Sequence, residues 1–308
     1  MNEAALERVV RTLDPRASLL RAWPLKGGIS SRMTVLEFAV GDERRRVVLR
    51  QPDGALQQDP LAVTNESRLL RLLTAAGLPS PALRLVDESA ELFGAPFLVI
   101  EYLDGVPDFA KAVSADSIEQ LAAQLVRIHG TPFAGTGLAS LPEYAPRFMH
   151  QRDRIYPDAS LRAADIREAL HRTWPPRSRN RGVLLHGDYW PGNVLWRAGR
   201  LVGIVDWEEA CLGDPIADVA IARLELLWAF GPEAMHAFTQ RYATLSGFDL
   251  ADLPYWDLDA ALRPVFNLAE WAAGWPDLGR PDVNEATMRA GHRTFVDLAF
   301  DALSRKGR

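Results

Sequence analysis

The chain has 308 residues, 48% hydrophobic and 24% charged, with a net charge of −5 and a pI near 5.7. A mildly acidic chain of this length can bury a sizeable core without cross-links, and it lacks the basic face that a nucleic-acid backbone demands. A single cysteine, Cys211, excludes an internal disulfide framework and fits a reducing compartment.

In chain order, Met1 to Arg11 carries Glu3 and Glu7 and no apolar run, so it does not read as a signal peptide. No stretch of the sequence is apolar enough to span a membrane. A cytoplasmic location with no membrane or nucleic-acid partner is therefore expected. The first third predicts strands around one helix. Leu19 to Leu25 reads as a strand, followed by a Gly- and Ser-rich loop from Lys26 to Ser31. Arg32 to Val40 and Arg46 to Arg50 read as a hairpin turning at Gly41-Asp42. Leu61 to Ala76 reads as a helix stopped by Gly77, Pro79 and Pro81. On it, Glu66 falls on the apolar side, where a carboxylate needs a cation, and Arg50 is the candidate. Leu83 to Asp87 and Pro96 to Tyr102 complete the strands, and Leu103 to Pro107 reads as a linker.

The rest is mostly helical, beginning with an amphipathic helix at Ser114 to Gly130 capped by Ser114 or Ser117. The pattern breaks at Gly182 to Asp206, where Val183 to Leu185, Val194 to Trp196 and Leu201 to Val205 are short apolar runs. Helical periodicity returns after Pro215. The basic clusters at Arg44 to Arg46 and Arg177 to Arg181 read as solvated turns.

The chemistry lies in that break. Asp188 and Asn193 fall on a tight loop turned by Pro191 and Gly192 between two strands, and Asp206 follows the next strand of a hairpin. Three oxygen-bearing side chains are thereby expected at one sheet edge, a donor set suited to a hard cation such as Mg²⁺. The Asp-x4-Asn spacing matches a kinase catalytic loop.

The ordered set His186-Gly187-Asp188-x4-Asn193, Asp206-Trp207-Glu208 and Gly213-Asp214-Pro215-x2-Asp218 resembles the aminoglycoside phosphotransferase family. Choline, homoserine and methylthioribose kinases and macrolide phosphotransferases are related to it. The resemblance implies an α+β, protein-kinase-like two-lobed fold. An N-terminal antiparallel β-sheet lobe (1–103) would bind nucleotide, and a largely helical C-terminal lobe (104–308) would carry catalysis and substrate. It implies transfer from ATP, or GTP, with Mg²⁺, to an alcohol on a small molecule. Asp188 would be the catalytic base, Asn193 and Asp206 the Mg²⁺ ligands, and His186, Asp214 and Asp218 the supports of the site. Gly27, Gly28, Ser30 and Ser31 would form the phosphate loop. Arg50 would stand where kinases place a Lys, paired with Glu66. Glu101 and Leu103 would form the hinge, and Leu195 and Ile204 would line the adenine pocket.

The C-terminal aromatics suggest an amine-bearing acceptor held by Trp271, Trp275, Glu225 and Glu270, although core packing is the plainer role for each aromatic. Two other readings stand beside this one. A catalytically silent nucleotide-binding protein on the same fold rests on the Arg50 departure. A protein kinase is disfavoured by His-Gly-Asp in place of His-Arg-Asp and by the absence of a spaced-glycine loop.

Overall fold

The computed structural model describes residues 3–25, 31–53, 61–110, 113–150, 158–174 and 180–306. Two compact units emerge. One comprises Met1–Gly105 with Val202–Asp206, and the other Val106–Leu201 with Trp207–Arg308. The boundary expected after residue 103 falls two residues before Gly105. Val202–Asp206, expected in the second lobe, instead groups with the first unit. There the Ile204 N–H donates to Pro79 O at 2.7 Å, and Gly203 lies against the Leu103 side chain.

In the first unit, α1 (Glu3–Leu13) precedes β1 (Ala17–Pro24), β2 (Ser31–Val40) and β3 (Glu43–Pro52); α2 (Ala62–Ala75), β4 (Leu83–Asp87) and β5 (Phe97–Glu101) follow. The strands form one antiparallel sheet in the order β1-β2-β3-β5-β4. The β2–β3 hairpin closes with Val40 opposite Glu43, and Gly41 adopts φ +60°, the left-handed conformation such a two-residue turn needs. Strand alternation sends Leu36, Phe38, Val47, Leu49, Phe97 and Val99 into a core shared with Leu6, Val9 and Val10 of α1. Val35, Val48, Arg50, Leu98 and Ile100 take the other parity and are buried as well, so both faces of the sheet are covered.

Helix α1 is one element that sequence patterning passed over, since the helix that carries Leu6, Val9 and Val10 is only eleven residues long. Ser31, expected in the phosphate loop, is the first residue of β2, opposite Pro52, and is buried. Gly27, Gly28 and Ser30 lie outside the described residues.

The second unit contains α3 (Ala115–His129), α4 (Arg147–His150), α5 (Ala163–Thr173), β6 (Val183–Leu185) and β7 (Val194–Arg197). Strand β8 (Arg200–Ile204) pairs with β7, and the short β9 (Cys211–Gly213) pairs with β6. The helices α6 (Ile216–Phe230), α7 (Pro232–Ser246), α8 (Leu253–Ala261), α9 (Leu268–Gly274) and α10 (Glu285–Lys306) complete the chain. Ser114 caps α3, accepting from the Ser117 N–H at 3.0 Å.

Every residue of α6 from Ile216 to Ala229 is buried. A helix apolar on all sides is a core element, and α7, α8 and α10 pack around it. It nonetheless carries three buried charged side chains, Asp218, Arg223 and Glu225. Such groups persist in a core only when paired or neutralised. Arg223 meets Asp257 as a fork, Nε to Oδ1 at 2.9 Å and Nη2 to Oδ2 at 3.0 Å. The other two lead to the candidate site. Among the described residues, no helix is long and apolar enough to cross a membrane.

Candidate active site

The loop from His186 to Asn193 joins β6 to β7 and is held by contacts with several elements. The carboxylate of Asp218, on the first turn of α6, accepts the N–H of His186 at 2.7 Å and that of Gly187 at 2.9 Å. His129 of α3 donates from Nε2 to the same carboxylate at 3.2 Å, and its Nδ1 meets the Tyr242 hydroxyl at 2.6 Å. Burial alone would raise the Asp218 pKa, but His129, then His186, hold it below the ordinary value. The His186 ring accepts the Asp188 N–H at Nδ1, 3.3 Å away, and packs against Trp207 at 4.6 Å between centroids.

Gly187 has φ +81°, and a Cβ there would stand 2.1 Å from Glu209 O, so no other residue fits. This backbone bend presents Asp188, which is half-buried. Its two carboxylate oxygens are gripped separately. Oδ2 accepts from Asn193 Nδ2 at 3.1 Å, and the same amide donates to Asp188 O at 3.0 Å. Oδ1 is paired with Arg263 Nη2. With its amide nitrogen committed to Asp188, Asn193 keeps Oδ1 as a hard oxygen donor, the kind of atom that Mg²⁺ takes.

Asp206 lies in the first unit with φ +64°, one of four described non-glycine residues with positive φ. Asp tolerates that region better than most side chains, and such conformations gather at functional sites. Its charge reaches Glu66 of α2, which has a raised pKa. Burial is the main cause, Asp206 adds to it, and Arg50 opposes it. Arg50 Nε stands 3.1 Å from Glu66 Oε1, an ion pair not aligned as a hydrogen bond. The inward carboxylate on α2 thus meets the expected cation.

Asp214 accepts the Ile216 N–H at 3.0 Å at the start of α6 and Asn180 Nδ2 at 3.1 Å. Glu101 Oε2 accepts the Ala82 N–H at 3.2 Å, and its own N–H donates to Ala82 O at 2.8 Å. Leu195 is half-buried in β7, and Ile204 is fully buried in β8.

The residues expected to hold an amine are dispersed. Trp271 and Trp275 are four apart in sequence, but α9 ends at Gly274, and Trp275-Pro276 starts a 3-10 turn. Trp275 is buried against Phe109 and Trp190. Trp271 lies beneath the Arg263 guanidinium at 5.8 Å, and Glu270 is exposed. Glu225 is buried, and burial pushes its pKa up to about 8, opposed by Arg263. A neutral acid enclosed in the core offers no anion to an amine, which corrects that expectation. The unfolded chain releases this proton near pH 4.5, the folded one near 8. The stability it contributes is full below pH 4.5 and is lost as pH rises through that window, by up to about 1.4 kcal/mol per unit. Glu225→Gln removes the dependence. In urea unfolding the variant should therefore gain on the wild type by several kcal/mol between pH 5 and pH 8; a constant gap would mean that Glu225 is ionised throughout.

Arg263 escaped sequence reasoning altogether. It opens a 3-10 turn after α8, Arg263–Phe266, and its only local signal is the Pro at position 264 that starts the turn. Burial works against its charge, and Asp188 and Glu225 more than restore it. Beside Gly187 a cavity of about 420 Å³ opens, lined by Tyr144, Arg147, Glu208, Glu209 and Cys211. Burial pushes the Cys211 thiol up to about 12, which rules it out as a nucleophile.

Known proteins resemble this chain in sequence and in fold. Homoserine kinase of Beijerinckia indica is 32% identical over 197 residues, 58% of this chain and 60% of that protein. Mouse acyl-CoA dehydrogenase family member 10 is 29% identical over 199 residues, 59% of this chain and 18% of that protein. This chain therefore covers under two thirds of the length of either relative. Among solved structures, the GDP complex of aminoglycoside 2'-phosphotransferase-IIIa has the same fold, with a TM-score of 0.63 at 19% identity, covering 99% of this chain and 98% of that one. The model of the phosphotransferase enzyme family (APH) matches residues 25–282, the greater part of the sequence, and the chain belongs to that family.

Proposed function

We propose that this protein transfers the γ-phosphoryl group of ATP, or GTP, to a hydroxyl of a small molecule. The observation that carries the reading is the immobilised Asp188, whose carboxylate is fixed by Asn193 and Arg263 on a loop anchored to Asp218. In the transfer, the acceptor oxygen bonds to the γ-phosphorus and the bond to the β,γ-bridging oxygen breaks. The nucleoside diphosphate leaves, and the hydroxyl proton passes to Asp188. Mg²⁺ held by Asn193 and Asp206 would neutralise phosphate charge.

In this reading Arg50, kept in place by Glu66, serves the phosphates, and its fork can bridge carboxylate and phosphate. Ser31 serves the phosphate side. Glu101 and Leu103 serve as hinge, and Leu195 and Ile204 as adenine walls. Asp214 and Asp218 brace the loop together with His186. The acceptor takes the cavity beside Gly187, whose rim carries Glu208 and Glu209, with Trp271 and Glu270 as outer contacts. Names among the relatives point to homoserine and aminoglycosides as acceptor types to try.

The test is thermal unfolding with Mg-ATP and Mg-GTP, followed by diphosphate release with a panel of amino alcohols, hydroxy acids, sugars and antibiotics. At a nucleotide concentration 100 times Kd, binding stabilises by about 2.7 kcal/mol, a shift of several degrees. No shift at millimolar Mg-nucleotide would overturn the reading.

A further inference from the structure

Arg263 makes one contact to Asp188 and one to the residue before it. Nη2 pairs with Asp188 Oδ1, and Nη1 donates to Gly187 O at 3.3 Å. The guanidinium therefore bridges two successive residues of the loop from a turn 75 positions away in sequence. We propose that Arg263 is a positioning residue of phosphoryl transfer, which sets the rotamer of Asp188 by holding the carboxylate oxygen that Asn193 does not. The inference rests on the role of Asp188 proposed above and deepens it.

Three observations favour positioning over simple core stabilisation. First, the Arg263 side chain is only 9% exposed while that of Asp188 is 22% exposed, so the fixed partner is the cation and the presented partner is the acid. Second, a buried ion pair is on average a poor source of stability compared with apolar packing, so its retention here calls for another reason. Third, burial raises the pKa of Glu225, the other carboxyl group near Arg263, to about 8, and Asp188 is the carboxylate that the guanidinium contacts directly. The two oxygens of Asp188 are then held by different elements, which fixes both of its side-chain torsions. Holding a reacting group in one geometry is where much of a kinase's rate resides.

The experiment compares wild type with Arg263→Met, Arg263→Lys and Asp188→Asn. Release of ADP from Mg-ATP is followed with water and with L-homoserine as acceptors, alongside thermal unfolding with and without Mg-ATP. Arg263→Met should lower kcat about 100-fold, with the KM for ATP and the Mg-ATP thermal shift unchanged. Arg263→Lys should recover part of the loss, since an ammonium lacks the planar fork that spans Asp188 and Gly187. A purely structural role predicts a lower melting temperature with the kcat of the folded protein intact. That result, with Asp188→Asn inactive, would overturn the proposal and leave the function standing. An active Asp188→Asn would instead remove Asp188 from the chemistry, and the positioning role of Arg263 with it. If Arg263→Met does not fold, Arg263→Lys decides by the same split between kcat and KM. If the wild type turns over neither acceptor, urea unfolding of Asp188→Ala, Arg263→Met and the double variant decides. Non-additive losses, by fivefold or more in the unfolding equilibrium, support the clamp, and additive losses overturn it.

Discussion

Asp188→Asn is expected to slow phosphoryl transfer by two to four orders of magnitude while leaving the Mg-ATP thermal shift in place. The substitution preserves shape. The amide oxygen can still accept from Arg263, so the buried guanidinium is not abandoned. What the amide cannot do is accept a proton from an incoming hydroxyl. Asp188→Ala, by contrast, mixes two effects, because it strands Arg263 in the core and should also lower the melting temperature. The measurement is steady-state release of diphosphate for both variants, with unfolding scans run in parallel. A carboxamide variant within tenfold of wild type would remove Asp188 from the chemistry.

The second large effect is expected at Asp218. Its carboxylate is wholly buried and accepts two loop N–H groups as well as a bond from His129. Asp218→Ala leaves those donors in the core with nothing to meet, and breaking such a buried arrangement costs about 3–5 kcal/mol. Activity should fall as well, because the loop that presents Asp188 loses its anchor. Because the folded-state pKa of Asp218 is depressed, its contribution is present above the unfolded value near 3.8 and is lost as pH falls through the lower folded value. The gap between wild type and variant in urea unfolding should therefore narrow on acidification below pH 4. A variant as stable as wild type at pH 7 would mean that water replaces the carboxylate at no cost.

Much of this was legible in the sequence. The hairpin at Gly41-Asp42, the strands at residues 83–87 and near Phe97, and the helix capped at Ser114 each carry a local signal of turn, alternation or cap. The pairing of Arg50 with Glu66 followed from one argument, that a carboxylate on an apolar helix face needs a cation. The loop residues His186 to Asn193 announced themselves by spacing.

What sequence could not supply were partners set by tertiary packing. Arg263 reaches Asp188 from a turn whose own residues, Arg-Pro-Val-Phe, look like any connection between helices. Glu225 reads as an anion for an amine until the helix around it proves buried on every side, at which point burial raises its pKa to about 8. Trp271 and Trp275 obey helical spacing, but Pro276 tightens the chain before the second ring can share the first one's surroundings. Helix α1 and strand β9 are short, and each draws its stability from the sheet or strand it packs against rather than from a pattern of its own.

The placement of Val202–Asp206 with the first unit has a consequence for how such a chain can be recombined. The polypeptide passes from one unit to the other three times, after Gly105, after Leu201 and after Asp206. Neither unit is a contiguous cassette. A gene fusion that exchanged residues 1–105 for those of a cousin would import a sheet without its matching Gly203 and Ile204, the residues that meet Leu103 and Pro79. Inheritance of the two halves is therefore tied together by five residues, and one of those five is Asp206.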